Sequence, residues 1–174
     1  MPSTPLGFVY PDSSDHTRTW EHWQALAESV DDFLSDRYCI LTSDVSQTIP
    51  DNVGTIVNVD RVEVDPHGWG DVATNRITID RAGLYVFTGY LVYGNNGTGF
   101  VTGSIVNGTG VDDNVVASDY SSASNWRTTV QPRTRPLFCS PGDTFIFVVH
   151  MNTQGDIPSN VSYGGTYFMV ERVQ

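Results

Sequence analysis

Lysine is missing from this chain altogether. All nine basic residues are arginines, set against twenty aspartates and glutamates, and the formal net charge is −11. That balance argues against nucleic acid and against an anionic membrane surface as partners. Cysteine is nearly missing: Cys39 and Cys139 are the only two in 174 residues. Two thiols make no disulfide framework, and neither sits at metal-ligand spacing. They could pair across neighbouring strands. Each lies in an apolar stretch, however, Tyr38-Cys39-Ile40 and Leu137-Phe138-Cys139, and that favours buried free thiols. No run approaches the roughly 20 apolar residues of a membrane span, so no membrane insertion is expected. No stretch combines a charged start, an apolar run and a small-residue cleavage site. The expectation is synthesis in a cytoplasm without a signal peptide.

Signatures of catalysis are equally scarce. The four histidines, His16, His22, His67 and His150, are scattered, and no nucleophile-elbow motif accompanies them. Nothing specifies the pair of carboxyl groups that glycoside hydrolysis needs. The chain is therefore read as a non-enzyme without a cofactor. Acidic pairs occur at Asp31-Asp32 and Asp112-Asp113. The second lies in a Gly/Asn-rich loop whose oxygens would suit Ca²⁺, but the ordered ligand spacing of a calcium loop is absent. A solvated loop is favoured, with Asp112 and Asp113 kept as a weak calcium candidate.

What the chain does have is turn residues alternating with β-formers. Strands are expected near Tyr38–Thr42, Gly54–Val64, Arg76–Ile79, Leu84–Tyr93, Gly99–Val106, Val115–Ser118, Trp126–Val130, Thr144–His150 and Thr166–Val173. Turns fall at Pro50-Asp51-Asn52, Asn95-Asn96-Gly97, Asn107-Gly108 and Gln154-Gly155-Asp156, where Asn, Asp and Gly tolerate positive φ. Within Arg76–Ile79 the two isoleucines alternate with Thr78, so one side faces a core. Gly83 is expected to let the chain reverse before the aromatic strand that carries Tyr85 and Phe87. So many short strands, with no intervening helices, predict an all-β two-sheet sandwich of jelly-roll type.

The first forty residues differ. Residues 1 to about 18 are polar and Pro-rich and cannot build a core of their own, yet they carry the apolar cluster Leu6, Phe8, Val9 and Tyr10. A helix is expected from Thr19, which can cap it, to about Leu34. Trp20, Trp23, Ala27, Val30 and Leu34 are spaced as a heptad seam. So short a helix is marginal alone and needs a neighbour. It either packs on its own β-domain or is buried by further copies or a foreign partner. The division is thus residues 1–38, arm and helix, and residues 39–174, the β-domain.

Several of these segments resemble the signature of the C1q/TNF-like family. The matching parts are Asn75, Gly83-Leu84-Tyr85-Val86-Phe87, Pro141-Gly142-Asp143 leading into Phe145-Ile146-Phe147-Val148-Val149, and Gly165-Thr166-Tyr167-Phe168. The likeness runs from about Ile40 to Gln174. One position departs: Val64 stands where an aromatic is usual. The resemblance implies a jelly-roll sandwich and a homotrimer, with Tyr85, Phe87, Tyr167 and Phe168 lining the inside of the subunit and the threefold axis. It also adds slightly to the calcium candidate, since the family includes calcium binders.

The N-terminal part is similar to the start of tailed-phage virion proteins, in which a Tyr-Pro-x-Ser-Ser-Asp motif precedes a short Leu-Ala-rich helix. Here the motif is Tyr10-Pro11-Asp12-Ser13-Ser14-Asp15. Arginine without lysine fits a GC-rich bacterial or phage genome. This resemblance implies a virion location, with Phe8, Tyr10, Trp20, Trp23, Leu26 and Val30 anchoring the chain on other virion proteins. The head would then meet a host-surface glycan or protein, as in a tail fibre or minor tail protein. A head fibre or capsid decoration protein is the alternative, and a bacterial C1q-like lectin or adhesin is the alternative of another class. The candidate receptor-binding residues are Tyr120, Asn125, Trp126 and Arg127, in a Ser/Asn-rich loop flanked by aromatics. Such a mix suits recognition, although Trp126 would also serve as an ordinary inward-packing strand residue.

Overall fold

A computed structural model describes Leu26 and residues 37–93, 99–122, 128–152, 157–158 and 165–173. The chain divides into two units, residues 1–37 and 38–174. Of the expected helix only Leu26 is described, and it is helical.

In chain order the strands are β1 (Tyr38–Ser43), β2 (Thr48–Ile49), β3 (Thr55–Ile56), β4 (Arg61–Val64), β5 (Gly70–Asp71), β6 (Arg76–Thr78), β7 (Gly83–Tyr93), β8 (Phe100–Asn107), β9 (Asn114–Ser122), β10 (Thr128–Val130), β11 (Leu137–Cys139), β12 (Thr144–Asn152), β13 (Ile157–Pro158) and β14 (Thr166–Arg172). They form two antiparallel sheets and a small ribbon. The first sheet runs β10-β7-β14-β1-β4, with β11 also on β7. The second runs β5-β6-β12-β8-β9, with β3 also on β12, and β13 pairs with β2.

Side-chain alternation decides which face of each sheet is wet. In β1, Cys39 and Leu41 are buried while Tyr38 and Ile40 are only half-buried. In β14, Phe168 and Val170 are buried while Tyr167 and Met169 are half-buried. The inward sets of both sheets merge into one core that includes Trp69, Ile77, Ile79, Tyr85, Phe87 and Phe168. Four phenylalanines bridge the layers. Phe87 stacks on Phe145 at 3.8 Å between ring centres and on Phe168 at 6.4 Å, and Phe147 meets Phe168 at 6.3 Å. Opposite this cluster β7 carries Gly89, because the Phe147 ring lies where a side chain would stand: an added Cβ would come within 2.8 Å of it. Gly89→Ala is expected to lower stability by about 1–3 kcal/mol through overpacking. A urea midpoint equal to that of the parent would count against this contact.

The signature residues have local work. Asn75 takes a left-handed φ of 56°, and its Oδ1 accepts the Val59 amide at 2.8 Å. Asp65 accepts the Trp69 amide on Oδ1 at 2.9 Å and the Gly70 amide on Oδ2 at 2.7 Å. That turn, with Gly68 at φ 69°, delivers Trp69 into the core, where its indole N–H donates to Asp80. In Pro141-Gly142-Asp143, Gly142 has φ 95° and the Asp143 carboxylate accepts the Ser140 amide at 2.8 Å.

Several expectations change. The single strand expected at Gly54–Val64 is split into β3 and β4, which join different sheets, with Val57 and Val59 buried between them. Gly83 does not reverse the chain; it opens β7 opposite Cys139, and the reversal lies ahead of it in residues 79–82. β9 extends to Ser122, four residues past its expected end, because it pairs along the whole of β8. β2, β5, β11 and β13 were not expected, being only two or three residues long.

Both cysteines are buried and free. Burial, with Asp65 adding to it, pushes the Cys39 thiol well above the usual range; burial and then Asp143 push Cys139 up to about 11. Thiolate is the reactive form. The native protein is therefore expected to resist iodoacetamide at pH 8 and to take up two labels only when unfolded. Rapid labelling of the folded protein would contradict the placement of both side chains.

Candidate interaction surfaces

Of the four aromatics expected inside the subunit and at a threefold axis, three turn inward. Tyr85, Phe87 and Phe168 are at most 1% exposed and belong to the core of a single chain. The Tyr85 hydroxyl donates to the Arg81 carbonyl at 2.8 Å. Tyr167 alone points away from the core, since it alternates with Thr166 and Phe168. It stacks on Tyr90 of β7 at 5.2 Å with rings 11° from parallel, and Gln131 donates an amide N–H to its hydroxyl.

Register places further outward side chains beside that pair. Thr42, Tyr167 and Tyr90 form one cross-strand row, and Val64, Ile40 and Met169 form the next, with the buried Thr88 opposite Met169. The outward face of the first sheet therefore holds an apolar strip made by four strands. At the edge, Phe138 of β11 stands opposite Leu84 and is 71% exposed. Exposed aliphatics occur singly on most proteins, whereas a contiguous strip with aromatics marks a contact surface.

The second sheet presents a different outward face. Val148 pairs with Ser104 and Ser104 with Ser118; His150 pairs with Thr102 and Thr102 with Tyr120; Asn152 pairs with Phe100 and Phe100 with Ser122. Of the candidate receptor residues, Tyr120 lies here at 64% exposure. Asn125, Trp126 and Arg127 lie outside the described residues, as do the anchor candidates Phe8, Tyr10, Trp20, Trp23 and Val30. The Ser104 and Ser118 hydroxyls hydrogen-bond each other at 3.1 Å.

Above one end of this sheet runs the 108–113 loop. Its two aspartates differ. Both are exposed, but Asp113 Oδ2 accepts the Gly110 amide at 2.7 Å and the Thr109 amide at 2.8 Å, closing the loop on itself, a closure in which Asp112 takes no part. Among the described residues no group of three or more His, Cys, Asp or Glu is placed to hold a metal ion. The backbone donors, Gly110 first, hold the Asp113 carboxyl below its usual pKa. Its loop-closing bonds are thus fully present above the ordinary aspartate value of about 3.9 and are lost as pH falls through the lowered one. In an acid titration the Thr109 and Gly110 amide resonances are expected to hold through the ordinary carboxylate range and move only below it. A midpoint at or above about 3.9 would remove the cause assigned here.

Solved structures place the architecture. Murine APRIL at pH 5.0 superposes with a TM-score of 0.60 at 10% identity, over 79% of this chain and 98% of that one. The fold is the TNF/C1q jelly roll. The Eiger TNF of S. frugiperda gives 0.54 at 12% identity over 79% and 92% of the two chains. The globular domain of zebrafish complement 1qA gives 0.52 at 11% over 79% and 98%. No protein-family model and no curated protein matches the sequence.

Sequence reasoning singled out Tyr120 but missed the surface around it, and missed Tyr90 as the partner of Tyr167. The signal for both was strand alternation. Reading Thr144–Asn152 with period two puts Val148, His150 and Asn152 on one face, and reading Gly83–Tyr93 the same way separates Tyr90 from Tyr85 and Phe87.

Proposed function

We propose that this chain is a structural and binding protein of a tailed-phage virion, a fibre or tip whose jelly-roll head attaches to a host surface as a homotrimer. The observation that carries the trimer is the apolar strip of Ile40, Met169, Tyr167 and Tyr90 on the outward face of the first sheet. A strip of that kind is covered when three copies pack around an axis, and three linked heads gain avidity from weak individual sites. Residues 1–38, with the Tyr10-Pro11-Asp12-Ser13-Ser14-Asp15 motif, supply the virion anchor in this reading. The protein's work is adhesion, and no reaction is assigned to it.

The test uses particles assembled with a chain lacking residues 1–38. Such particles are expected to lack the protein and to adsorb poorly to host cells. Incorporation of the shortened chain would overturn the anchor. Normal adsorption by particles that have lost the protein would overturn the attachment role. It would favour the capsid-decoration alternative, as would a map that shows the heads on the capsid. Release of free sugar from host glycan by the purified protein would overturn the non-enzymatic reading.

A further inference from the structure

We infer that the outward face of the second sheet is a binding site for a neutral sugar, which deepens the attachment reading above and rests on it for its biological purpose. Asn52–Gly54 and Val111–Asp112 flank, over the strands, a half-open groove of about 500 Å³. Small-molecule sites occupy roughly 300–1,000 Å³, so the volume suits such a ligand. Among the described residues four polar side chains line it: Asn52, Ser104, Asp112 and His150. Two of its apolar walls, Val53 and Val115, are half exposed, at 50% and 51%.

The groove continues into an aromatic band. His150, which lines it, lies 6.4 Å from the Phe100 ring, and Phe100 lies 5.5 Å from Tyr120, with interplanar angles of 29° and 31°. Cross-strand register keeps the three rings on one face, because their neighbours Val101, Val149 and Met151 are buried in the core. The band therefore crosses three strands and ends at the exposed Tyr120.

That combination matches a sugar better than a peptide or an anion. A pyranose offers a flat C–H face to an aromatic ring and a rim of hydroxyls that both donate and accept. Asp112 is free of the loop-closing role that Asp113 performs, so its two oxygens remain available to neighbouring hydroxyls. Asn52 donates to Asp51 and Ser104 shares a hydrogen bond with Ser118, and each keeps further donor or acceptor capacity. Among the described residues no arginine lines the groove, and the chain carries a net charge of −11. A carboxylated or phosphorylated sugar would meet the Asp112 carboxylate and the net negative charge of the chain there.

The full-length protein is titrated calorimetrically with methyl glycosides of glucose, galactose, mannose and N-acetylglucosamine, and with glucuronic and N-acetylneuraminic acid. At least one neutral glycoside is expected to bind and the acidic sugars are not. Asp112→Asn is expected to weaken that binding roughly tenfold by removing a charged acceptor. Tyr120→Ala is expected to weaken it several-fold while Tyr120→Phe retains it, as stacking requires. Both side chains are exposed, so an unchanged melting temperature separates lost binding from lost folding. Three results would overturn the site: no binding of any neutral glycoside, tighter binding of an acidic one, or full binding by both Asp112→Asn and Tyr120→Ala. A host-adsorption assay separates the two readings. Adsorption by the parent when no neutral glycoside binds removes the groove and leaves attachment standing. Sugar binding lost in the variants, without any adsorption by the parent, keeps the groove and removes attachment.

Discussion

Phe87→Ala is expected to cost about 3–5 kcal/mol of stability. Phe87 is fully buried at the centre of β7, stacked on Phe145 and Phe168. It is therefore a contact between sheets as well as within one. Truncation removes the transfer free energy of the ring, leaves a cavity, and breaks two aromatic contacts worth about 0.5–1.5 kcal/mol each. The surrounding Phe145, Phe147 and Phe168 are themselves fixed by strand pairing and can close little of the gap. The urea midpoint should fall with an unchanged slope. The melting temperature should drop on the order of 10 °C. Phe138→Ala is the control, since that ring is 71% exposed and its loss should stay within about 0.5 kcal/mol. A Phe87→Ala penalty no larger than the Phe138→Ala penalty would mean the two sheets are not joined through this cluster.

Tyr167→Glu is expected to have the largest effect on assembly. The parent should scatter light as a particle of three chain masses at micromolar concentration, and the variant as one. Tyr167 faces outward with Tyr90 against it and Met169 two residues on, so a carboxylate there costs little in an isolated head. In a trimer that covers the strip the same charge would lie in an apolar seam, where an unpaired charge costs several kcal/mol. The circular dichroism of the variant should match that of the parent. A trimeric Tyr167→Glu would move the contact to another face, and a monomeric parent would remove the trimer.

The architecture was readable because alternation and turn chemistry agree along most of the β-domain. Thr144–Asn152 is bounded by the Pro141-Gly142-Asp143 turn, and Gly83–Tyr93 carries Tyr85, Phe87, Leu91 and Tyr93 on one face at period two. What failed to show was short or shared between sheets. β5 has two residues, Gly70 and Asp71, and exists because the Asp65 turn presents Gly70 to Ile77. β3 and β4 read as one strand because Ile56, Val57, Val59, Val62 and Val64 recur through Thr55–Val64 with no Gly or Pro between them. Nothing local to the sequence says that the chain changes sheets at Val57–Val59. The groove was less legible still. Asn52, Asp112 and His150 are separated by up to 98 positions, and only the pairing of β12 with β3 and β8 brings them to one place.

The first strand of the head is hydrogen-bonded to the last. Tyr38 stands opposite Glu171, and β14 separates β1 from β7 in the middle of the first sheet. A ribosome must therefore deliver almost the whole head before its central sheet can close. Until then β1 and β7 expose edges that have no permanent neighbour, the condition under which nascent β-proteins mispair or wait on chaperones. Contacts that bridge more than a hundred residues also make folding slow, on the order of milliseconds to seconds for sandwiches of this kind. Loss of β14 would leave a sheet open at its centre rather than frayed at its margin.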